Sequence, residues 1–354
     1  MAIFKRRQEV QATCSPTVVS GNLGAIANGV GTGRDRAMRL PTVARSRDIN
    51  ASLIGSLPIR RYGTQWNGEQ LEEIALPPEP WQLRPDPEST RTHMLSWLYD
   101  DMRFYGFGAW YVTRRYAATG FPAEFKWLPA ACVQIVSPAT YGNYPVGGVT
   151  DIQYNGVSLP KDDVILFFSS LDPFLETGAR AVRISERLDT AAERFACTEV
   201  PAGYLRITGG EPMSSEDLQL MADAWSEARQ ANTTAILSEN LDYVPTDVDA
   251  SKMQLTEGRN YADLALSRCM DTPPYLVGAP TGTGMTYQNA VQARGDAIIF
   301  GALPYIEVIE QVLSSDRVTP RGQIIRLDRS AWLDNPLDNN AETPAEQLPQ
   351  KANV

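Results

Sequence analysis

The segment Ala279 to Thr286 reads APTGTGMT, and its glycine and threonine spacing matches the GPPGTGKT loop with which motor ATPases cradle nucleotide phosphates. That chemistry depends on a lysine whose ammonium reaches the β- and γ-phosphates. Here Met285 stands in its place, and a thioether brings no charge to a phosphate. The surroundings differ too: a phosphate loop follows a buried strand, whereas this one follows a helical segment closing in DTPP. What is left is an uncharged, flexible glycine loop. Other catalytic constellations are missing. The sequence holds no GxSxG and no HExxH, and any Ser-His-Asp triad would have to be built on the single histidine, His93. His93 lies early in an amphipathic helix, which predicts a surface or partly packed side chain. Asp100 and Asp101 share that helix, where successive side chains point about 100° apart, so they form no carboxylate dyad and are expected on solvated faces. Cys14, Cys132, Cys197 and Cys269 show neither CxxC nor metal-ligand spacing, which predicts idle thiols, no disulfide framework, no metal site and no cofactor.

Charge narrows the partners. Residues 1–61 carry ten basic side chains against three acidic ones, a surplus of +7, while the whole chain is at −10, so the remaining 293 residues carry −17. An acidic body repels phosphates and cannot bind DNA tightly as a whole; a basic arm could touch nucleic acid or an acidic neighbour, or simply be solvated. The longest strongly apolar run, Val164 to Phe168, falls far short of the ~20 residues that span a bilayer, so no membrane contact is expected. The start, MAIFKRRQEV, has no apolar signal region, which predicts a protein that stays where it is made.

The elements that must position these groups read as a mixed α+β chain. Residues 1–40, rich in Gly, Ala, Ser and Arg, read as a mobile basic arm. A helix through Val43, Ile49, Leu53 and Leu57 ends at Pro58, and LPIRRYG follows as a strand. After a proline-rich connection, Met94, Leu95, Leu98, Met102 and Tyr105 form the stripe of a stronger helix, capped at Ser89 or Thr90 and closed by Gly106. AWYVTRRY and EFKWLP pair as strands across Gly120 and Pro122; CVQIV, IQYN and VILFF are further strands. From Arg180 the chain turns helical, first along Ile184, Leu188 and Phe195, then, after the strand GYLRI, along Leu218, Met221, Trp225 and Ala228 from a Ser214–Asp217 capping box. TAILS and DYVPT read as a small hairpin. Ser251 with Gln254 signals another cap, opening a helix stopped by Pro273 and Pro274. A long helix after Thr286 is interrupted at Pro304, which lacks a backbone donor and clashes with the preceding turn, so a kink is expected near Phe300 to Pro304. The tail 334–354 reads as disordered.

The order of these pieces resembles the portal (head-to-tail connector) proteins of long-tailed bacteriophages, from about Pro41 to about Leu333. Carrying the resemblance are LPIRRYG after a helix, the helix ending in DMRFYGFGAWYVTRR, LPAACVQIV, DDVILFF, and above all the run NYADLALSRCMDTPPYLVGAPTGTGMTYQNAVQARGDAIIFGALPYIEVIEQVL. The last is similar to the family's helix, Val-Pro-Pro-x-Leu-Gly turn, loop, Thr-Tyr-x-Asn and long helix with Leu-x-Pro; Thr272 replaces the usual valine. The resemblance implies a non-enzymatic ring of typically twelve subunits in the virion, at the portal vertex of the capsid, assembled in the host cytoplasm. It implies a wing over residues 41–179, a first stem helix over 180–198, a clip over 199–245, a second stem helix and turn over 246–277, a tunnel loop over 278–286, and a kinked wing helix with closing strand over 287–333. The crown is expected to be reduced, since only some 40 residues follow Ser315. Thr281, Gly282, Thr283, Gly284, Met285, Thr286 and Tyr287 would then face double-stranded DNA in the channel. Met213, Glu216, Asp217, Leu220 and Trp225 are clip candidates for the large terminase subunit and the head-tail adaptor, with Trp225 also placed for the core; major capsid or scaffold protein would meet the wing. Two other readings remain beside it: a nucleotide-dependent DNA-packaging motor subunit, and another virion structural protein.

Overall fold

The computed structural model describes residues 33–68, 71–141, 144–196, 203–209, 214–230, 241–245, 254–279, 295 and 297–330. Order begins earlier than composition suggested. A short helix, α1 (Arg34–Ala37), precedes α2 (Pro41–Ser56), and Ala37 and Leu40 are buried, so the stretch 33–40 is part of the folded body and not of an arm. Pro41 sits in the first turn of α2, where its missing N–H has no helical partner to lose. Strands β1 (Ile59–Trp66) and β2 (Leu71–Leu76) follow, then a short helix α3 (Pro80–Leu83) and α4 (Arg91–Tyr105). Thr90 caps α4 by accepting from the His93 amide at 3.1 Å, and Gly106 closes it at φ 80°, a left-handed conformation that glycine adopts without cost.

Strands β3 (Phe107–Arg115), β4 (Pro122–Leu128), β5 (Val133–Val136), β6 (Ala139–Tyr141), β7 (Tyr144–Val146), β8 (Asp151–Tyr154), β9 (Val157–Leu159) and β10 (Val164–Phe168) build the middle of the chain. They form antiparallel sheets in the orders β10-β3-β4 and β5-β8-β9, with a β6-β7 ribbon. The register sets Ala109 opposite Leu128 and Leu166 opposite Ala109. One core cluster gathers Leu98, Met102, Trp110, Phe125 and Phe167; Trp110 lies 5.2 Å from Phe167 and 5.5 Å from Phe125 between ring centroids.

After a turn, α5 (Phe174–Thr177), the long α6 (Ala179–Ala196) begins. Its apolar stripe is only partly used: Val182 and Ser185 are buried, while Ile184 is 42% exposed. Beyond it lie β11 (Gly203–Ile207), α7 (Ser215–Gln230) and β12 (Leu241–Pro245). The Asp217 amide donates to Ser214 Oγ at 3.2 Å, the cap its sequence signalled. β12 pairs with β11, Leu205 opposite Tyr243, across the whole of α7; TAILS, the hairpin partner expected for DYVPT, lies outside the described residues.

Helix α8 (Leu255–Cys269) packs along α6, where Gly258 admits Leu188 and Arg259 reaches Asp189 at 3.0 Å. Its start also departs from expectation. Gln254 is itself the N-cap, at φ 50° with no side-chain capping bond, and Ser251 lies outside the described residues. A short turn of 3-10 helix follows (Pro274–Leu276), then a π-helical segment (Ala297–Ala302), α9 (Leu303–Leu313) and β13 (Gln323–Leu327). Pro304 occupies the first turn of α9, directly after the π segment. β13 completes the antiparallel sheet β13-β1-β2, with Ile59 opposite Leu327.

Candidate functional site

The described residues bring together three clusters. The first surrounds Asp100, whose side chain is 1% exposed. Its Oδ2 accepts from Arg34 Nε at 2.7 Å, and its Oδ1 accepts from Arg34 Nη2 at 2.8 Å and from Arg47 Nε at 2.7 Å. Both guanidiniums lie over Trp97, at 5.0 and 4.9 Å from the ring centroid, where its negative face attracts them. Trp97 in turn stands 5.2 Å from Trp127, with His93 exposed against both rings. Two residues further on, Arg36 reaches Glu186 of α6 at 2.7 Å, and Ala37 and Leu40 enter a core shared with Phe104, Val182, Leu266 and Met270. The stretch 33–40 thus braces α4, α6 and α8 against one another.

Asp101, next in line, is buried and accepts from Trp127 Nε1 at 2.7 Å. Burial pushes its carboxyl well above the usual range, against the pull of Trp127. The expectation that Asp100 and Asp101 are solvated was therefore wrong, although they form no catalytic dyad. A signal was present for Asp101, which falls on the Met94, Leu98, Tyr105 stripe of α4. For Asp100 there was none, because its partners lie 53 and 66 residues away.

The second cluster lies at the end of α8, beside the first residues of the glycine loop. Arg103 Nη1 donates to Tyr305 Oη at 3.1 Å and stands 3.2 Å from Asp271 Oδ2. Asn50 Nδ2 donates to Thr272 Oγ1 at 3.1 Å. Burial raises the Tyr305 phenol to about 12. Ala279, 7% exposed, is where the described loop ends; Thr281, Gly282, Thr283, Gly284, Met285, Thr286 and Tyr287 lie outside the described residues.

The third cluster is the small β11-β12 and α7 unit. Glu216, Asp217 and Leu220 are exposed, Leu220 at 68% and Leu218 beside it at 44%. Trp225 is half-buried, its ring 5.6 Å from that of Tyr243, which places it toward the interior of the unit; Met213 lies outside the described residues. The cysteine expectation also changes: Cys132 is disulfide-bonded, its partner lying outside the described residues, and Cys269 is free. Among the described residues no cluster of His, Cys, Asp or Glu could hold a metal ion, and no helix is long and apolar enough to cross a membrane.

The mixed α+β fold is similar to that of a solved HK97 family phage portal protein from Corynebacterium diphtheriae. The two match with a TM-score of 0.68 at 20% identity, over 85% of this chain and 97% of that one. The neck of a native gene transfer agent particle, computed with C12 symmetry, matches at TM-score 0.56 and 18% identity, over 87% and 89%. That of an empty gene transfer agent particle, computed with C6 symmetry, matches at 0.55 and 17%, also over 87% and 89%. At such identities the likeness is one of fold. Among curated proteins none matches. The family model for phage portal proteins matches residues 41–348, and the chain belongs to that family.

Proposed function

We propose that this chain is one subunit of a homo-oligomeric ring, a dodecamer, at the unique capsid vertex of a phage particle, assembled in the host cytoplasm and retained in the virion. The ring is a passive conduit for double-stranded DNA during packaging and ejection, with no catalytic step of its own, and a docking platform for the large terminase subunit and then the head-tail adaptor. Major capsid or scaffold protein meets the wing. The observation that carries this reading is the family match across residues 41–348.

Physical chemistry supports it. Residues 180–257 hold fourteen acidic and seven basic side chains, a balance of −7 per subunit. A channel must confine a duplex without gripping it, and phosphate contacts would add a salt-dependent affinity that movement has to break. An acidic sleeve avoids that grip. Gly278 to Thr286 carries no charge, as a sliding contact requires. Ile184 on α6 and Tyr261 on α8, 42% and 66% exposed, are apolar surface left for a neighbouring copy.

In this assignment the wing is residues 41–179 with 287–333, the stem 180–198 with 246–277, the clip 199–245 and the tunnel loop 278–286, under a reduced crown. Glu216, Asp217 and Leu220 present an acidic and apolar surface for the docking partners. Negative-stain microscopy of the purified chain tests the reading: rings with a central hole are expected, and compact monomers alone would overturn it. ATP binding at Ala279 to Thr286 would instead favour a packaging motor, against which Met285 stands. Normal packaging after Gly282→Pro with Gly284→Pro would sink the idea of a mobile loop.

A further inference from the structure

Four separated parts of the chain meet around Arg103. Its side chain, projecting from α4, is 3% exposed. Nη1 reaches Tyr305 Oη on α9 and Asp271 just past the end of α8, and also approaches the Asp172 carbonyl at 3.5 Å. Thr272 is held by Asn50 of α2. The π segment closes the group from the far side: a Cβ added at Gly301 would stand 2.8 Å from Asn50 Oδ1 and 3.1 Å from the Asp271 carbonyl oxygen. The end of α8 is thereby tied to α2, α4 and α9, all of them wing elements in the proposed assignment.

Three features distinguish this knot from finished core packing. Asp271 has φ of 50°, a left-handed conformation that a side chain disfavours and that persists only where neighbours enforce it. Arg103 Nε is buried with no hydrogen-bond partner, and Asp271 Oδ2, although close to the guanidinium, is out of line for a hydrogen bond. A half-satisfied buried ion pair sits closer in free energy to its open form than a satisfied one does. Burial also pushes the Asp271 carboxyl up, Arg103 pulling it back. Finally, Pro304 has no N–H to give the carbonyl of Phe300, so the helix beside the knot lacks a bond that would hold it in one register.

We propose that Arg103, Asp271 and Tyr305 form a releasable joint between the second stem helix and the wing, in which Asp271 is the part that lets go. Its side chain is already 32% exposed and needs only a backbone relaxation out of the left-handed region to reach solvent. Because Gly301 lies against the Asp271 carbonyl, release loosens the end of α8 and the π segment together. The names stem and wing rest on the portal reading; the joint itself rests on the contacts above.

Hydrogen exchange by mass spectrometry on the full chain tests it. Asp271→Asn keeps a residue tolerant of the left-handed conformation and deletes the charge. Its exchange over residues 264–279 and 297–306 is expected to rise about tenfold or more, the loss of a charge-assisted contact, with the β5-β8-β9 sheet unchanged. Arg103→Lys keeps the charge without the fork and should give a smaller rise in the same two stretches. Unchanged exchange there in Asp271→Asn, or an equal rise through β5-β8-β9, overturns the joint. Should Arg103→Lys fail to fold, Asp271→Asn carries the test alone. Ring formation, read by microscopy on the same wild-type sample, reports on the portal reading separately: monomers with the predicted exchange pattern would remove the ring and leave the joint.

Discussion

Replacing Asp100 by asparagine takes the one buried anion from a site that holds two cations, leaving Arg34 and Arg47 only the exposed Asp35 and Asp48. The carboxylate accepts three charge-assisted bonds of 2.7 to 2.8 Å, and its partners Arg34 and Arg47 are 19% and 14% exposed. Each such bond contributes roughly 1.5–3 kcal/mol, and breaking a buried pair costs about 3–5 kcal/mol. The arginines keep some access to water, so the lower end applies, about 3 kcal/mol. For a chain of this size that lowers the melting temperature by about 4 °C. The matching truncations separate brace from arm. Deleting residues 2–32 sets the baseline melting temperature against which the longer truncation is read. Deleting 2–40 removes Arg34 and the buried Leu40, worth about 2 kcal/mol of apolar burial, and should lower it as far as Asp100→Asn does. Scanning calorimetry on the three variants decides. A fall of less than about 2 °C for Asp100→Asn, or equal behaviour of the two truncations, would refute the claim that residues 33–40 belong to the folded body.

Gly301→Ala places a methyl 3.1 Å from the fixed Asp271 carbonyl oxygen and should cost about 1–3 kcal/mol, read as a lower urea midpoint at constant slope. Gly106→Ala forces a side chain to φ 80° and should cost about 1 kcal/mol, measured the same way. Asp101 gives a pH dependence. Its folded pKa is raised by burial, so the stability it contributes is full below the unfolded carboxylate value of about 3.9 and is lost as pH rises through the folded value. Asp101→Asn should flatten that decline across the range above pH ~4, and melting curves of the variant that parallel wild type at every pH would contradict it.

Much of the fold was legible because it is local. The α4 stripe of Met94, Leu98 and Met102 and its glycine stop are written within one helix, and all three side chains are buried. The β3-β4 pairing joins neighbours across a marked turn. What stayed hidden depends on distant partners. β12 finds β11 across α7, and β1 finds β13 from the other end of the chain. Local pattern cannot report either. Residues 33–40 read as part of a mobile arm because the whole of 1–40 is rich in Gly, Ala, Ser and Arg; what folds them is Asp100 and Glu186, which no window around them contains. Gln254 misled in the opposite way, since the residue that matched the third helical position of a Ser251 capping box is itself the N-cap, in a left-handed conformation and with no side-chain capping bond. Arg103 and Asp271 were invisible for the same reason as Asp100. An ionic side chain in a core is recognisable only with its counter-ion, and the two are far apart in sequence.

The charge asymmetry that first marked the N-terminal region also changes meaning. Of the ten basic residues in 1–61, Arg34, Arg36, Arg47, Arg60 and Arg61 engage Asp100, Glu186, Asp328 and Glu79. Their positive charge is neutralised inside this chain, and a neutralised guanidinium releases no counter-ions from a phosphate backbone. Arg39 and Arg45, exposed and without an ion pair among the described residues, hold what remains there for an outside partner, while Lys5, Arg6 and Arg7 lie outside the described residues. A surplus of +7 therefore overstates the electrostatic reach of this region by about half. The same pairs remove negative charge from Asp100 on α4, Glu186 on α6, Glu79 and Asp328. The acidic surplus is left where the chain runs through α7 and its flanks, the unit that carries Glu216, Asp217 and Leu220.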